Sequence, residues 1–140
     1  MNALIDTNVI LDDILNRAPS AEVARKITQM ATDDIIDGYL TANCLTDIFY
    51  VVSKNRDEAT ARKTVKNLLL VFSIVSVDGD DCQNAIDLPM SDFEDALVVV
   101  CAEKADLDYI VTNDQDFLGI VDLSVPAIRP SEFLLKIQKT

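Results

Sequence analysis

The chain has 140 residues, 49% of them hydrophobic, so it is long enough and apolar enough to bury the core of one domain. It carries a formal net charge of −12 and contains no histidine, which excludes Ser-His-Asp triads, Cys-His pairs and histidine-based metal sites. Any catalysis must therefore use carboxylates, hydroxyls, thiols, lysines or a bound metal.

The periodicity of apolar residues and the helix-capping signals predict strands that alternate with helices. In the first half of the chain we expect, in order, a strand at Ala3–Ile5, a helix at about Val9–Leu15, a helix opened by Pro19-Ser20 and ending near Ala31, a strand at Gly38–Thr41, a helix at Ala42–Lys54 and an amphipathic helix capped by Asp57.

In the second half we expect a strand at Ser73–Val77, a short helix at about Asp81–Ile86, a helix at Asp95–Glu103, a strand at Tyr109–Val111, a turn or helix at Asp114–Leu118, a strand at Ala127–Ile128 and a helix at Ser131–Ile137. Ser91 and Glu94 have the spacing of a capping box before Asp95. Strands separated by helices imply a mainly parallel sheet covered on both faces, a three-layer α/β/α sandwich. No linker or repeat interrupts residues 1–140, which favours a single domain.

Cysteine usage and the first residues favour an intracellular protein. Cys44, Cys82 and Cys101 are odd in number and widely spaced, without a CxxC pair, as is typical of reduced thiols. The chain begins without a basic segment followed by an apolar one, so we expect no secretory signal. The longest apolar stretch, residues 68–77, is too short for a membrane span. We therefore expect a cytoplasmic protein with no membrane partner.

Two aspartates follow predicted strands. Asp6 comes directly after the first strand, and Asp114 comes three residues after Tyr109–Val111. In parallel α/β sheets, ligands bind at the carboxyl ends of strands, so both side chains are candidates for one site. The alternative is that each is a helix cap or a turn former.

Asp47 lies within a predicted helix, on the same stripe as Cys44 and Val51. A buried, unpaired carboxylate costs several kcal/mol, so this side chain needs a cation, hydrogen bonds or a proton. An ion pair with a lysine or arginine from elsewhere in the chain is the alternative to a functional site.

Asp92 and Asp95 lie one turn apart at the start of a predicted helix and can project toward one point. Acidic residues in a first turn also interact favourably with the helix dipole, which is the alternative explanation. The apolar run from Ala96 to Val99 buries the helix of Asp95 and would hold its carboxylate on a rigid element, which favours a functional role for Asp95.

Five of the twelve basic residues fall within residues 54–66: Lys54, Arg56, Arg62, Lys63 and Lys66. An acidic surface repels nucleic acid at long range, but a local patch of this kind can hold backbone phosphates. The alternative is a solvated helix face.

Four short motifs occur in an order and at a spacing that together resemble a PIN domain over essentially the whole chain. They are Ile5-Asp6-Thr7-Asn8, Leu45-Thr46-Asp47-Ile48, Asp92-Phe93-Glu94-Asp95-Ala96 and Ile110-Val111-Thr112-Asn113-Asp114-Gln115-Asp116-Phe117. The closing Pro130-Ser131-Glu132-Phe133-Leu134 also resembles the usual end of that family.

The resemblance implies a ribonuclease that binds Mg²⁺ or Mn²⁺ through an acidic quartet, here Asp6, Asp47, Asp95 and Asp114. It also implies that Asp92 and Asp116 are accessory metal ligands, and that Thr7, Asn8 and Thr112 support the site, Asn8 by orienting a carboxylate. Hard divalent ions prefer oxygen ligands, and a cluster of carboxylates repels itself without cations. Asp47 departs from the family, in which Glu is common at that position.

A PIN domain of this length resembles the VapC toxins of toxin–antitoxin pairs. That resemblance implies an RNA substrate, a homodimer and a small cognate antitoxin, whose arginine could pair with the carboxylates. Two alternatives remain. One is a PIN fold that only binds and lacks catalysis; the other is a receiver-like phosphoacceptor, which would have paired acids near strand one and a lysine after strand five.

Overall fold

The computed structural model describes residues 1–139, and its centre is a five-stranded sheet. The strands are β1 (Asn2–Ile5), β2 (Asp37–Thr41), β3 (Ser73–Val75), β4 (Tyr109–Val111) and β5 (Ala127–Ile128). Their order is β3-β2-β1-β4-β5, and all neighbouring pairs are parallel. The predicted parallel sheet is therefore confirmed, and its strands all end at the same edge.

Helices connect the strands and cover both faces of the sheet. They are α1 (Thr7–Ile14), α2 (Ala21–Thr32), α3 (Ala42–Asn55), α4 (Glu58–Val71), α5 (Gly79–Ile86), α6 (Phe93–Lys104), α7 (Gln115–Leu118) and α8 (Pro130–Gln138).

The core has two main clusters, one on each side of the sheet, and a smaller third cluster between α5 and α6. Ala3 and Ile5 of β1 join one cluster, whereas Leu4 between them joins the other. This alternation follows from the strand period of two residues. Helices α1 to α4 and α8 contribute to the first cluster, and α6 and α7 to the second. The three-layer α/β/α sandwich is confirmed.

The start of α6 differs from the prediction. The Asp92 carboxylate, not the Ser91 hydroxyl, caps the helix by accepting a hydrogen bond from the Asp95 backbone N–H at 3.0 Å. The predicted capping box of Ser91 and Glu94 is therefore wrong. An ionised carboxylate at this position also interacts favourably with the helix dipole, which a serine hydroxyl does not.

Other boundaries move by one or two residues for similar reasons. Helix α1 begins at Thr7 because the Asp6 side chain caps it, and α5 begins at Gly79 because Asp78 and Asp81 form a capping box. Strand β3 ends at Val75 rather than Val77.

Across residues 1–139, no helix has the length and apolar character required to cross a membrane.

Gly38 allows a close approach between β2 and the residue that precedes β3. A Cβ atom at Gly38 would lie 2.6 Å from Cδ1 of the buried Phe72 ring. The ring could not remain where it is, and the β2–β3 edge of the sheet would have to shift.

Gly38→Ala should therefore lower the free energy of unfolding by about 1–3 kcal/mol, the usual cost of overpacking a core. Gly79→Ala is the matched control, because a Cβ there meets nothing within 4 Å, and its stability should be unchanged or slightly higher. Denaturant melts of both variants measure the difference. Equal stability of the two would show that Phe72 moves freely.

Candidate functional site

Acidic side chains meet at the carboxyl edge of the sheet because helices start there directly after the strands. Asp6 directly follows β1 and caps α1, while Asp114 follows β4 and caps α7. Thr41 ends β2 at the start of α3, which carries Asp47, and Asp92 caps α6. The topology thus brings carboxylates from distant parts of the sequence to one side of the molecule.

Asp6 is the most tightly held of these groups, with only 6% of its surface exposed. Its carboxylate accepts hydrogen bonds from Thr112 Oγ1 at 2.7 Å, Asn8 Nδ2 at 3.0 Å and the Thr7 backbone N–H at 2.9 Å. Burial raises the pKa of Asp6, and these hydrogen bonds partly offset that rise. The result is a carboxylate fixed in one orientation.

The same hydrogen-bond network reaches Asp114. Thr112 Oγ1 accepts from the Asp114 backbone N–H at 3.1 Å, and Asn8 Oδ1 accepts from the Asn113 backbone N–H at 3.2 Å. Asp114 Oδ1 in turn accepts from the backbone N–H of Asp116 at 2.9 Å. The residues after β1 and β4 are therefore locked together.

The negative charges of this network act on the carboxyl group of Asp95. Burial raises the pKa of its carboxyl to about 7, helped in order by the negative charges of Asp92, Asp6, Asp114 and Glu94. A carboxyl can be shifted by those neighbours only if they lie close to it. Asp6, Asp95 and Asp114, which are separated widely in sequence, therefore form one electrostatic cluster.

Asp47 joins the cluster through Glu94. Burial, followed by the hydrogen bond and negative charge of Asp47, raises the pKa of Glu94 to about 7. Although Glu94 is exposed as a whole residue, its carboxyl is desolvated against Asp47. Asp47 is half-buried, and no ion pair within residues 1–139 involves it, so the alternative of a lysine or arginine partner is wrong.

Glu94 was missed by the sequence reasoning, which assigned it to the capping box. The sequence spacing does indicate a role for Glu94 in the site, because it lies between Asp92 and Asp95 in the first turn of α6. Once Asp92 caps the helix, the Glu94 side chain is free to reach Asp47.

A cavity of about 400 Å³ opens beside the cluster. Asp95 and Asp114 line it together with the predicted accessory residues Asp92 and Asp116. These four carboxylates are thus accessible to an ion or a substrate, whereas Asp6 and Asp47 do not line the cavity.

The donor set suits a hard divalent cation. Its donors are carboxylate, hydroxyl and amide oxygens, the type that Mg²⁺ and Mn²⁺ prefer. Burial raises the pKa of the nearby Cys44 thiol to about 12. A thiol is also a soft ligand, which hard Mg²⁺ and Mn²⁺ do not prefer. Among residues 1–139, no group of three or more cysteine, aspartate or glutamate side chains has an arrangement that could hold a metal ion. Mg²⁺ usually takes only one or two carboxylates directly and keeps several waters.

The predicted basic patch lies on α3, α4 and the turn between them, and all five residues are exposed. Arg62 pairs with Glu58 at 2.9 Å and lies over the Phe49 ring, while Lys54 lies over the Tyr50 ring. These local contacts hold two of the cations on the helix surface and leave both interpretations of the patch open.

Comparison with known proteins gives a family and a fold. The model of the PIN domain family matches residues 2–116, while no curated protein sequence matches significantly. Among solved structures, a toxin–antitoxin complex from Klebsiella pneumoniae is 18% identical with a TM-score of 0.66, over 91% of this chain and 97% of that one.

Two further structures are similar to a comparable degree. VapC20 of Mycobacterium tuberculosis, a sarcin–ricin-loop-cleaving toxin, is 15% identical with a TM-score of 0.67, over 86% of this chain and 97% of that one. DNA-bound VapBC from Salmonella typhimurium is 14% identical with a TM-score of 0.68, over 93% and 98%. At these identities the structures establish a shared fold.

The crowding of carboxylates predicts an unusual pH dependence in metal-free protein. A carboxyl whose folded pKa is raised to about 7 favours folding at low pH, and that stability is lost as pH rises from about 4 to about 7. Asp95→Asn should therefore increase the free energy of unfolding at pH 8 by roughly 1–2 kcal/mol. Each pKa unit represents about 1.4 kcal/mol, reduced here by solvent screening.

Asp122→Asn is the matched control, because it removes the same charge from an exposed residue. Its stability should follow the wild type at every pH. Urea melts in EDTA between pH 4 and 8 measure both variants, and a lower stability of Asp95→Asn at pH 8 would contradict the clustering.

Proposed function

The chain belongs to the PIN domain family, and from this premise we propose that it is a metal-dependent endoribonuclease. Asp6, Asp47, Asp95 and Asp114 are its proposed catalytic carboxylates, with Asp92 and Asp116 as accessory ligands. The observation that supports this most strongly is the convergence of carboxylates at one edge of the sheet: Asp95 and Asp114 line one cavity, and Thr112 joins Asp6 to the segment of Asp114. Burial and neighbouring carboxylates accordingly raise the pKa of Asp95 to about 7. Such a concentration of negative charge is tenable when a cation binds it.

The proposed roles follow from the contacts of each side chain. Asp6, Asp95 and Asp114 would hold Mg²⁺ or Mn²⁺, which when bound supplies acidified water and stabilises charge on the phosphate. Thr112, Asn8 and the Thr7 backbone fix the orientation of Asp6. Preorganisation of this kind avoids reorientation during the reaction.

Asp47 and Glu94 form a carboxyl pair beside this centre. Burial, together with the hydrogen bond and negative charge of Asp47, raises the pKa of Glu94 to about 7, so the Glu94 carboxyl is partly protonated near neutral pH. Asp47 is one methylene shorter than the Glu common at this position in the family. Glu94 places a longer acidic side chain beside Asp47, so two carboxyl groups are present at this position of the site.

We further propose that the protein is the toxin of a toxin–antitoxin pair in the cytoplasm, acting as a homodimer with a cognate antitoxin. Similarity to toxin–antitoxin complexes supports this, and an acidic cavity suits bidentate pairing with an antitoxin arginine. Expression should arrest growth, and co-expression of the antitoxin should relieve the arrest. Unimpaired growth would contradict the toxin role.

The two alternatives are less well supported. All four acids are present, whereas a PIN fold that only binds would be marked by the loss of one or more of them. A receiver-like phosphoacceptor has the strand order 2-1-3-4-5, which differs from the order β3-β2-β1-β4-β5 observed here.

RNA cleavage by purified protein should require Mg²⁺ or Mn²⁺ and stop in excess EDTA. Asp95→Asn should lower kcat/KM by ~100-fold or more, the scale of several kcal/mol of transition-state stabilisation. Asp122→Asn should cleave like the wild type. Gel assays of a labelled RNA measure all three, and cleavage that continues undiminished in EDTA would rule out the metal mechanism.

If the basic patch holds phosphates, reversing Arg62 and Lys63 to Glu should weaken RNA binding. It should also reduce the slope of log affinity against log salt by about one for each lost contact. Reversing Lys136 and Lys139 to Glu, at the end of α8 and after it, changes the net charge equally and is the control. Equal binding by both double variants, measured by filter binding, would show that the patch is a solvated helix face.

A further inference from the structure

A second cavity, separate from the acidic one, opens at the end of β5. It has a volume of about 160 Å³, and its polar lining residues are Ser20, Asn113, Arg129 and Ser131. Among residues 1–139, no acidic side chain lines it, although the chain has 24 aspartates and glutamates. We propose that this cavity binds a phosphate that flanks the cleaved bond, and that Arg129 is the residue that holds it. The inference rests on the proposed ribonuclease function and adds a strand-positioning residue outside the carboxylate cluster.

The two cavities adjoin through neighbouring strands. Val111 of β4 and Ile128 of β5 are paired, and neighbouring strands lie about 4.8 Å apart. Arg129 directly follows Ile128, so it lies at the same edge of the sheet as the carboxylates. Asn113 lines the second cavity, whereas the next residue, Asp114, lines the acidic one. An RNA strand whose cleaved phosphate lies at Asp114 therefore has a neighbouring phosphate within reach of the second cavity.

The contacts of the Arg129 guanidinium orient it without neutralising it. Its Nη2 donates to the neutral Gln115 Oε1 on α7 at 3.0 Å. Its Nη1 lies 3.5 Å from Glu132 Oε1, and both of these side chains are about half exposed. An ion pair exposed in this way contributes little to stability, so a stronger acceptor can replace it. A guanidinium carries several N–H donors in a planar fork, and these two contacts leave most of them available to a ligand.

The size and the chemistry of the second cavity favour a phosphate. A volume of about 160 Å³ lies below the range of about 300–1,000 Å³ for sites that take whole small molecules, so a compact group fits better. The planar donors of arginine match two phosphate oxygens at once. The hydroxyls of Ser20 and Ser131 can donate to phosphate oxygens as well.

A cation beside the carboxylate cluster offsets a cost that the fold creates. A chain of net charge −12 repels RNA at long range, and a flanking phosphate would otherwise meet a surface rich in carboxylates. A phosphate held by Arg129 fixes the strand relative to Asp95 and Asp114. Because orientation of the reacting groups contributes to the rate, loss of this contact should lower kcat as well as raise KM.

Single neutral linkages in the RNA test the contact directly. The substrates are oligoribonucleotides with one mapped cleavage site, in which each flanking phosphodiester in turn is replaced by a methylphosphonate. Every modified linkage carries a 2′-deoxyribose, and its control has the same sugar with an ordinary phosphate. Wild type and Arg129→Gln are assayed with Mn²⁺ beside two control variants. Gln115→Ala removes the neutral partner of the guanidinium and keeps the charge, whereas Lys136→Gln removes one charge near the other end of α8.

At one flanking linkage, the methylphosphonate should lower kcat/KM by about tenfold in the wild type and in both control variants, the scale of one charge-assisted hydrogen bond. In Arg129→Gln the same linkage should cost less than about twofold, because the contact is already lost. Arg129→Lys keeps the charge without the planar fork, so its penalty should be about threefold. It replaces Arg129→Gln if thermal melts show that Arg129→Gln is unfolded.

The outcomes separate this inference from the proposed function. Metal-dependent cleavage without any methylphosphonate penalty, or with the same penalty in Arg129→Gln as in the wild type, would overturn the phosphate site and leave the ribonuclease intact. Loss of the penalty in Lys136→Gln would also overturn it, because net charge would then explain the effect. So would an equal loss in Gln115→Ala and Arg129→Gln, since Arg129 would then act only as a tie to α7. If the wild type cleaves no unmodified RNA in Mn²⁺, the proposed function fails and the inference fails with it.

Discussion

Repulsion between carboxylates at one edge of the sheet is the constraint on which the site depends. Parallel strands end at the same edge, and helices α1, α6 and α7, which start there, each present a capping aspartate. Burial and neighbouring charges raise the pKa values of Asp95 and Glu94 to about 7. The metal-free protein is therefore destabilised by electrostatic repulsion, which a bound divalent cation would reduce. The fold must be rigid enough to hold the acidic side chains together against that repulsion.

That rigidity comes from neutral polar side chains rather than from ion pairs. Thr112 and Asn8 donate to Asp6 and at the same time accept backbone N–H groups from the segment after β4. Two neighbouring strand ends are thus joined around one buried carboxylate. A lysine or arginine in their place would neutralise the cluster and compete with a metal ion, whereas hydroxyl and amide groups orient the carboxylate and leave its charge available.

Much of the fold could be predicted from the sequence, because apolar periodicity and Asx caps act locally. The strand-end rule also indicated Asp6 and Asp114 from their positions alone. Interactions that join distant segments could not be predicted in the same way. Glu94 was assigned to a local capping box, yet its partner Asp47 lies on α3. The cavity is lined by Met90 and Ile120 from two loops that are distant in sequence, and neither loop has a periodic pattern.

The central claim is that these carboxylates form a single cation-binding site, and thermal melts with increasing Mn²⁺ test it most directly. An ion that binds only the folded state raises the Tm of the protein progressively as the ion concentration increases. The account predicts a clear rise for the wild type and for Asp122→Asn, and a much smaller rise for Asp95→Asn. An equal rise in all three proteins, or none in the wild type, would contradict a shared site that includes Asp95.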